Sequence, residues 1–228
     1  MRVTMLIAAL LLTGAAQAET DPEDGFISMF NGNDLTGWEG MPGRWRVEDG
    51  AITGECNDEP SCDVTHYLYW TEKTPGDFIL RVKFKLVGGN SGIHVRSERR
   101  PNYDIWGYQA DFAEDEQWIG SLYQHDRGAV VERGHKAVIA ADGTREETQF
   151  ASPESLLEIY NKEDWNEYEI VCEGSRITLR INGALMCEVD DHDATFSRDS
   201  GLIALQMHAG PPMKVQFKDL RIKIMDGE

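Results

Sequence analysis

Three short apolar segments each carry two polar residues spaced two apart. His94 and Arg96 lie in Asn90-Ser91-Gly92-Ile93-His94-Val95-Arg96, Gln109 and Asp111 in Gly107-Tyr108-Gln109-Ala110-Asp111-Phe112, and Gln206 and His208 in Leu205-Gln206-Met207-His208. A strand sends alternate side chains to opposite faces, so each pair shares one face. A purely structural sandwich would place Val, Ile or Leu at these positions. The residue types suit proton transfer: an imidazole as base, a guanidinium beside a developing oxyanion, and a carboxylic acid or second imidazole at a leaving group. His94, Arg96, Asp111 and His208 supply that inventory. Gln109 and Gln206 suit sugar-like hydroxyls, and Tyr123 or Trp106 offers a flat surface for an apolar ring face. Arg127 begins a long irregular stretch and is placed to close over a ligand.

Each of these residues also has a plainer interpretation. His94 fits a satisfied core histidine, and Arg96 with Asp111 fits an ion pair between neighbouring strands. The two glutamines can bond each other, Trp106 can pack a loop, and Arg127 can sit in solvent. Two acidic runs, Asp190-Asp191-His192-Asp193 and Glu114-Asp115-Glu116, offer oxygen ligands but lack EF-hand spacing, so solvated loops are expected. The cofactor stays open. A divalent metal ion held by His94, Asp111 or His208 and acting as a Lewis acid is one candidate. No Gly-x-Ser-x-Gly elbow, P-loop, Rossmann fingerprint or His-Glu-x-x-His occurs. Asp111 is the one obvious inward carboxylate, which argues against an ordinary two-carboxylate glycosidase.

The elements that must position these groups are strands. Segment 78–86 alternates, with Phe78, Leu80, Val82, Phe84 and Leu86 on one side and Arg81, Lys83 and Lys85 on the other. Further strands are expected at 26–30, 67–70, 92–97, 107–112, 119–124, 166–173, 176–181, 184–189, 201–208 and 214–224. Asp49-Gly50 and Asn182-Gly183 mark hairpin turns. The stretch 126–150 reads as a long loop with one short strand near 137–140. Ser152-Pro153-Glu154 opens a short helix over 153–160. The pattern predicts one all-β domain over 19–228, a two-sheet sandwich with one concave, polar-lined face. Its core draws on Phe78/Leu80/Val82/Phe84, Ile177/Leu179/Ile181 and Ile203/Leu205/Met207.

Residues 1–18 read as a cleaved signal peptide: Arg2, an apolar stretch from Val3 to Thr13, then Ala16-Gln17-Ala18. A periplasmic or secreted protein is expected. No later segment approaches the roughly twenty apolar residues of a membrane helix, so no membrane partner is expected. The chain holds 40 acidic against 22 basic residues, a net charge of −18. That field repels phosphate backbones and argues against nucleic acid. Of the four cysteines, Cys56 and Cys62 flank a loop of a size for a local disulfide. Cys172 and Cys187 fall on the outer strands of an apparent meander, about 9.6 Å apart across two strand spacings, too far for a bridge. Buried thiols are expected there, unless the strand order differs from a meander.

Several segments together resemble a known family. Phe30-Asn31-Gly32-Asn33-Asp34-Leu35-Thr36-Gly37-Trp38 is similar to its opening signature, and Asn90 to Arg96 to its Asn-Ser-Gly-x-x-x-Arg segment. Gly107 to Asp111, Gly120-Ser121-Leu122-Tyr123, Trp165-Asn166 and Leu205 to His208 follow in the family's order. This is the 3-keto-disaccharide hydrolase family, and the resemblance runs from about residue 26 to 225. It implies a concanavalin A-like jelly roll. It also implies a glycoside substrate already oxidised at C3 by a glycoside 3-dehydrogenase in the same pathway. In such a substrate the ketone acidifies the C2 proton, a base removes it, and the enolate expels the C1 substituent. Water then adds to the enone. Many members carry Glu-x-Gln where this chain has Gln109-Ala110-Asp111, so their acidic position moves by two residues. A non-catalytic carbohydrate-binding module is the alternative, and a module that only supports a partner oxidoreductase is a third reading.

Overall fold

A computed structural model describes residues 25–57, 61 and 63–225. The expected signal peptide and Cys62 lie outside the described residues. The first strands are β1 (Ile27–Ser28), β2 (Trp38–Gly40), β3 (Trp45–Glu48), β4 (Ala51–Cys56), β5 (His66–Trp70) and β6 (Phe78–Val87). Then come β7 (Asn90–Arg100), β8 (Asp104–Ala113), β9 (Leu122–Gln124), β10 (Gly128–Val131), β11 (His135–Ile139) and β12 (Arg145–Gln149). After helix α1 (Pro153–Leu157) follow β13 (Asn166–Glu173), β14 (Arg176–Ile181), β15 (Ala184–Asp191), β16 (Leu202–Met207) and β17 (Met213–Ile224).

The strands form two sheets. One runs β12-β11-β15-β14-β13-β6-β17-β4-β3, with β1 on β17, and the other β10-β9-β8-β7-β16-β5-β2. This is the expected jelly-roll sandwich. Alternation explains its core. Phe78, Leu80, Val82 and Phe84 on β6, Ile177, Leu179 and Ile181 on β14, and Ile203, Leu205 and Met207 on β16 are all at most 1% exposed and join one cluster. Their strand neighbours Arg81, Lys83 and Lys85 stay on the outer surface of β6.

Cys172 pairs in register with Ile177 on β14, and Cys187 with Leu179 on the other side of the same strand. Both are free, buried thiols, as the meander argument required. Burial pushes the Cys172 thiol up to about 12, so neither supplies thiolate at neutral pH. We predict that iodoacetamide leaves both unmodified in the native protein and alkylates both after denaturation, as mass spectrometry would show. Cys56 is disulfide-bonded.

The stretch 126–150 is a correction. It holds three strands, β10, β11 and β12, rather than a loop with one short strand. Every residue of β12 (Arg-Glu-Glu-Thr-Gln) is exposed, so the strand carries no apolar alternation to read. Backbone pairing with β11 alone makes it a strand, and β11 in turn runs parallel to β15. The segment 30–38 is likewise held by its own hydrogen bonds. Asn31 Oδ1 accepts from the backbone N–H groups of Asn33 (2.8 Å) and Asp34 (3.0 Å), and buried Trp38 Nε1 donates to Met29 O (2.7 Å).

Candidate functional site

Each strand of the seven-stranded sheet has one face in the core and one face outward. Tyr108, Ala110 and Phe112 of β8 point inward, so Gln109 and Asp111 point out. Leu205 and Met207 do the same for Gln206, and Leu68 for Tyr67. The register places Gln109 opposite His94 on β7 and Tyr123 on β9, and Gln206 opposite Tyr67 on β5. A cleft of about 770 Å³ lies over this face, lined by Gln109, Asp111, Gln206, Tyr67, Tyr123 and His208 among others.

Gly92 explains how the floor closes. It sits opposite Asp111, between β8 and β16. A Cβ there would stand 2.5 Å from Gln109 Nε2 and 2.7 Å from its Cδ. Without it the two glutamines meet across β7 in a reciprocal pair. Gln109 Nε2 donates to Gln206 Oε1 (3.1 Å) and Gln206 Nε2 to Gln109 Oε1 (3.0 Å). The plainer interpretation of the glutamines is therefore correct as far as it goes, although both also line the cleft. Gly92→Ala should push the pair apart and cost roughly 1–3 kcal/mol of stability, measurable by urea unfolding.

Asp111 is the buried carboxyl of this floor. Its Oδ1 accepts from Gln109 Nε2 (2.9 Å) and from the Phe112 backbone N–H (3.1 Å). Only 4% of the residue is exposed. Burial raises its carboxyl to about 7, against the lowering effect of Gln109, Phe112 and Asn90. Tyr67, on the lining of the same cleft, is pushed up to about 12 by burial and remains a neutral donor.

His94, expected as the base, does not reach the cleft. It is completely buried, edge-on to Tyr67 (5.2 Å between centroids) and stacked on His125 (5.8 Å). Burial and the neighbouring His125 hold it down at about 3, with Gln109 the one influence that favours its protonation. It stays neutral and packs the wall.

Arg96 is a second correction. A bulge lies between Val95 and Glu98, where Arg96 takes φ 46°. The extra residue breaks the alternation with His94. The guanidinium instead crosses to the other sheet, donating to Gly174 O (2.7 Å), Gly76 O (3.1 Å) and Asp77 Oδ1 (2.9 Å). The expected pair with Asp111 does not form.

Trp106 is 4% exposed and does not line the cleft. Its Nε1 donates to Asp126 Oδ2 (2.6 Å), and Arg198 covers its ring at 4.4 Å. Arg127 is neither a lid nor a solvated charge. It donates to Asp191 Oδ2 (2.6 Å), which also accepts from Tyr108 Oη (2.6 Å). Asp191 is therefore a buried acceptor rather than part of a solvated loop. Burial would raise its carboxyl, but Arg127 and Tyr108 hold it below the usual range. Asp193 caps the next turn through the N–H groups of Thr195 and Phe196. Among the described residues no three His, Cys, Asp or Glu side chains are grouped to hold a metal ion. His94, Asp111 and His208 are not brought together as such a group.

His208 does line the cleft, as expected, and is exposed. Sequence reasoning missed His125, Tyr67, Tyr103 and Trp118, which line it too. His125 follows β9 directly and meets Tyr123 edge-on (5.7 Å). Its signal was available in Tyr123-Gln124-His125, one alternation step beyond Tyr123.

The 3-keto-alpha-glucoside-1,2-lyase-like domain matches residues 25–223. The chain belongs to that family. No curated protein matches it. The lyase-like domain is similar in fold to a candidate glycosyl hydrolase from Parabacteroides distasonis ATCC 8503, with 22% identity, TM-score 0.59, and 92% of this chain and 99% of that one covered. The carbohydrate binding module CBM66 from Bacillus subtilis shares 14% identity at TM-score 0.54, over 83% and 97% of the two chains. The Crh5 transglycosylase in complex with NAG shares 15% at TM-score 0.52, over 86% and 82%. At these identities the likeness is one of fold. The lyase-like domain thus shares a jelly roll with carbohydrate-acting and carbohydrate-binding proteins.

Proposed function

We propose that the protein cleaves glycosidic bonds of 3-keto-glycosides, with Asp111 as the base that removes the C2 proton. The observation that carries this is the Asp111 carboxyl, raised to about 7 and fixed by Gln109 on the floor of the cleft. A base works best with a pKa near the working pH. The family membership supports the choice of substrate. The C2–H electron pair moves into the C2–C3 bond, and the negative charge collects on the C3 oxygen. Tyr67 and Gln206, both cleft-lining donors, suit that oxygen. The enolate then expels the C1 oxygen, which takes a proton from water. Water adds across the enone and gives the free 3-keto sugar. The C3 ketone has to be installed beforehand by a glycoside 3-dehydrogenase. We further propose that residues 1–18 export the chain, so that it acts in the periplasm or outside the cell.

The test is the pH dependence of kcat/KM on a 3-keto-glucoside, with the parent glucoside as control. The base form dominates above its pKa. The rate should rise with pH up to about 7 and then level off, and the parent should stay intact. A rate that is flat from pH 5 to 9 would remove Asp111 from the role. A second reading, a binding module, is favoured by the mutual satisfaction of Gln109 and Gln206. It predicts saturable sugar binding with no product at any pH.

A further inference from the structure

The tip of the β7–β8 hairpin lines the cleft through Pro101, Asn102, Tyr103 and Asp104. Asn102 and Tyr103 take φ 63° and 58°, and the Asp104 N–H donates to Pro101 O. Two left-handed residues in succession make a turn whose second place favours glycine. The chain follows that preference elsewhere. Asp49-Gly50 and Asn182-Gly183 have positive φ at both positions, with glycine second. At the cleft a tyrosine takes the glycine's place. An aromatic L-residue in this region is strained, and strain of this kind is kept where the side chain is used.

The ring is held in place. The Arg99 guanidinium lies 5.4 Å over Tyr103 and 4.8 Å over Tyr69, and it is fixed by Glu39 (2.5 Å). Tyr69 Oη donates to Asp104 O (3.1 Å), tying the far side of the turn to the sheet. An aromatic side chain is thus pre-positioned at a polar cleft, which lowers the ordering cost of stacking on it.

We infer that Tyr103 is the stacking platform for the apolar face of a bound pyranose ring, and that the strained turn holds it there. The inference rests on the sugar-binding part of the function proposed above and not on its chemistry. Calorimetric titration of 3-keto-glucosides and the parent glucosides into wild type, Tyr103→Gly, Tyr103→Leu and Tyr103→Phe tests it. Glycine suits the turn, so Tyr103→Gly should keep or raise the melting temperature while weakening binding roughly tenfold or more. Tyr103→Leu retains the strain without a flat face and should weaken binding alike, whereas Tyr103→Phe should bind nearly as wild type. Wild-type affinity in the Gly or Leu variant overturns the inference, and so does a wild type that binds none of these sugars. If melting falls in the Gly variant, the Leu and Phe pair decides. Binding that follows the ring in a protein that releases no product would overturn the elimination chemistry and leave the platform standing.

Discussion

Asp111→Asn should abolish most turnover and leave a folded, more alkali-tolerant protein. Removing a general base typically lowers the rate by about 10²–10⁴-fold. The amide keeps an oxygen that accepts from Gln109 Nε2 and the Phe112 N–H, the two bonds that orient the present carboxyl. Stability moves the other way. The carboxyl titrates at about 7 in the folded chain and near 4 in an unfolded one. Between those values the native state holds a proton that the unfolded state has released. The stability contributed by this one group should therefore be full below about pH 4, fall as pH rises toward 7, and then level off. A gap of about 3 pH units is worth on the order of 4 kcal/mol. Asn carries no such gap, so the variant's unfolding free energy should stay flatter across that window. Urea unfolding at pH 4.5 and 8, paired with turnover at pH 8, checks both halves. A variant that turns over normally would remove Asp111 from the chemistry.

Arg96→Met should cause the largest loss of stability. The side chain is 1% exposed and binds carbonyls of Gly76 and Gly174 and the carboxylate of Asp77. Those acceptors flank β6 and β13, so Arg96 ties the two sheets together at one end. Methionine fills similar space but leaves the carbonyls without a donor. The Asp77 carboxylate is about a third exposed and stays solvated, so the loss comes chiefly from the two carbonyls left without a donor, about 1–3 kcal/mol each. Arg96→Lys should fall between, because an ammonium cannot match the planar fork. Chemical denaturation gives the value directly. Unchanged stability with lost turnover would instead return Arg96 to the cleft.

Where the strand register runs unbroken, the sequence was legible. Gln109, Asp111 and Gln206 lie on the predicted face because Tyr108, Ala110, Phe112, Leu205 and Met207 fix the opposite one. Alternation failed at Arg96 for a local reason. The bulge reverses Arg96, and it is permitted by Gly107 on β8 and by Gly201 just ahead of β16. A Cβ at Gly107 would meet Ser97 Oγ at 2.2 Å, and one at Gly201 would meet the Arg96 carbonyl carbon at 2.6 Å. Those glycines were visible, but their closeness to β7 was not. His94 does face outward, yet Tyr67 and His125 cover it, and burial rather than direction decides whether an imidazole can act as a base. Trp106, Arg127 and Asp191 were misplaced because their partners lie far along the chain. Tyr103 comes from a turn, where no periodicity exists to reveal it, whereas His125 stood one alternation step beyond Tyr123.

The central claim is proton removal at C2 of an oxidised sugar, and the most direct measurement follows that proton. A 3-keto-glucoside carrying deuterium at C2 would be incubated with wild-type protein beside its unlabelled twin and the parent glucoside. Released sugar would be weighed by mass spectrometry, and the enone watched by ultraviolet absorbance. The account predicts slower cleavage of the deuterated substrate, deuterium lost from the product, and an untouched parent glucoside. Cleavage that keeps the deuterium at C2, or that proceeds equally on the parent glucoside, would contradict it.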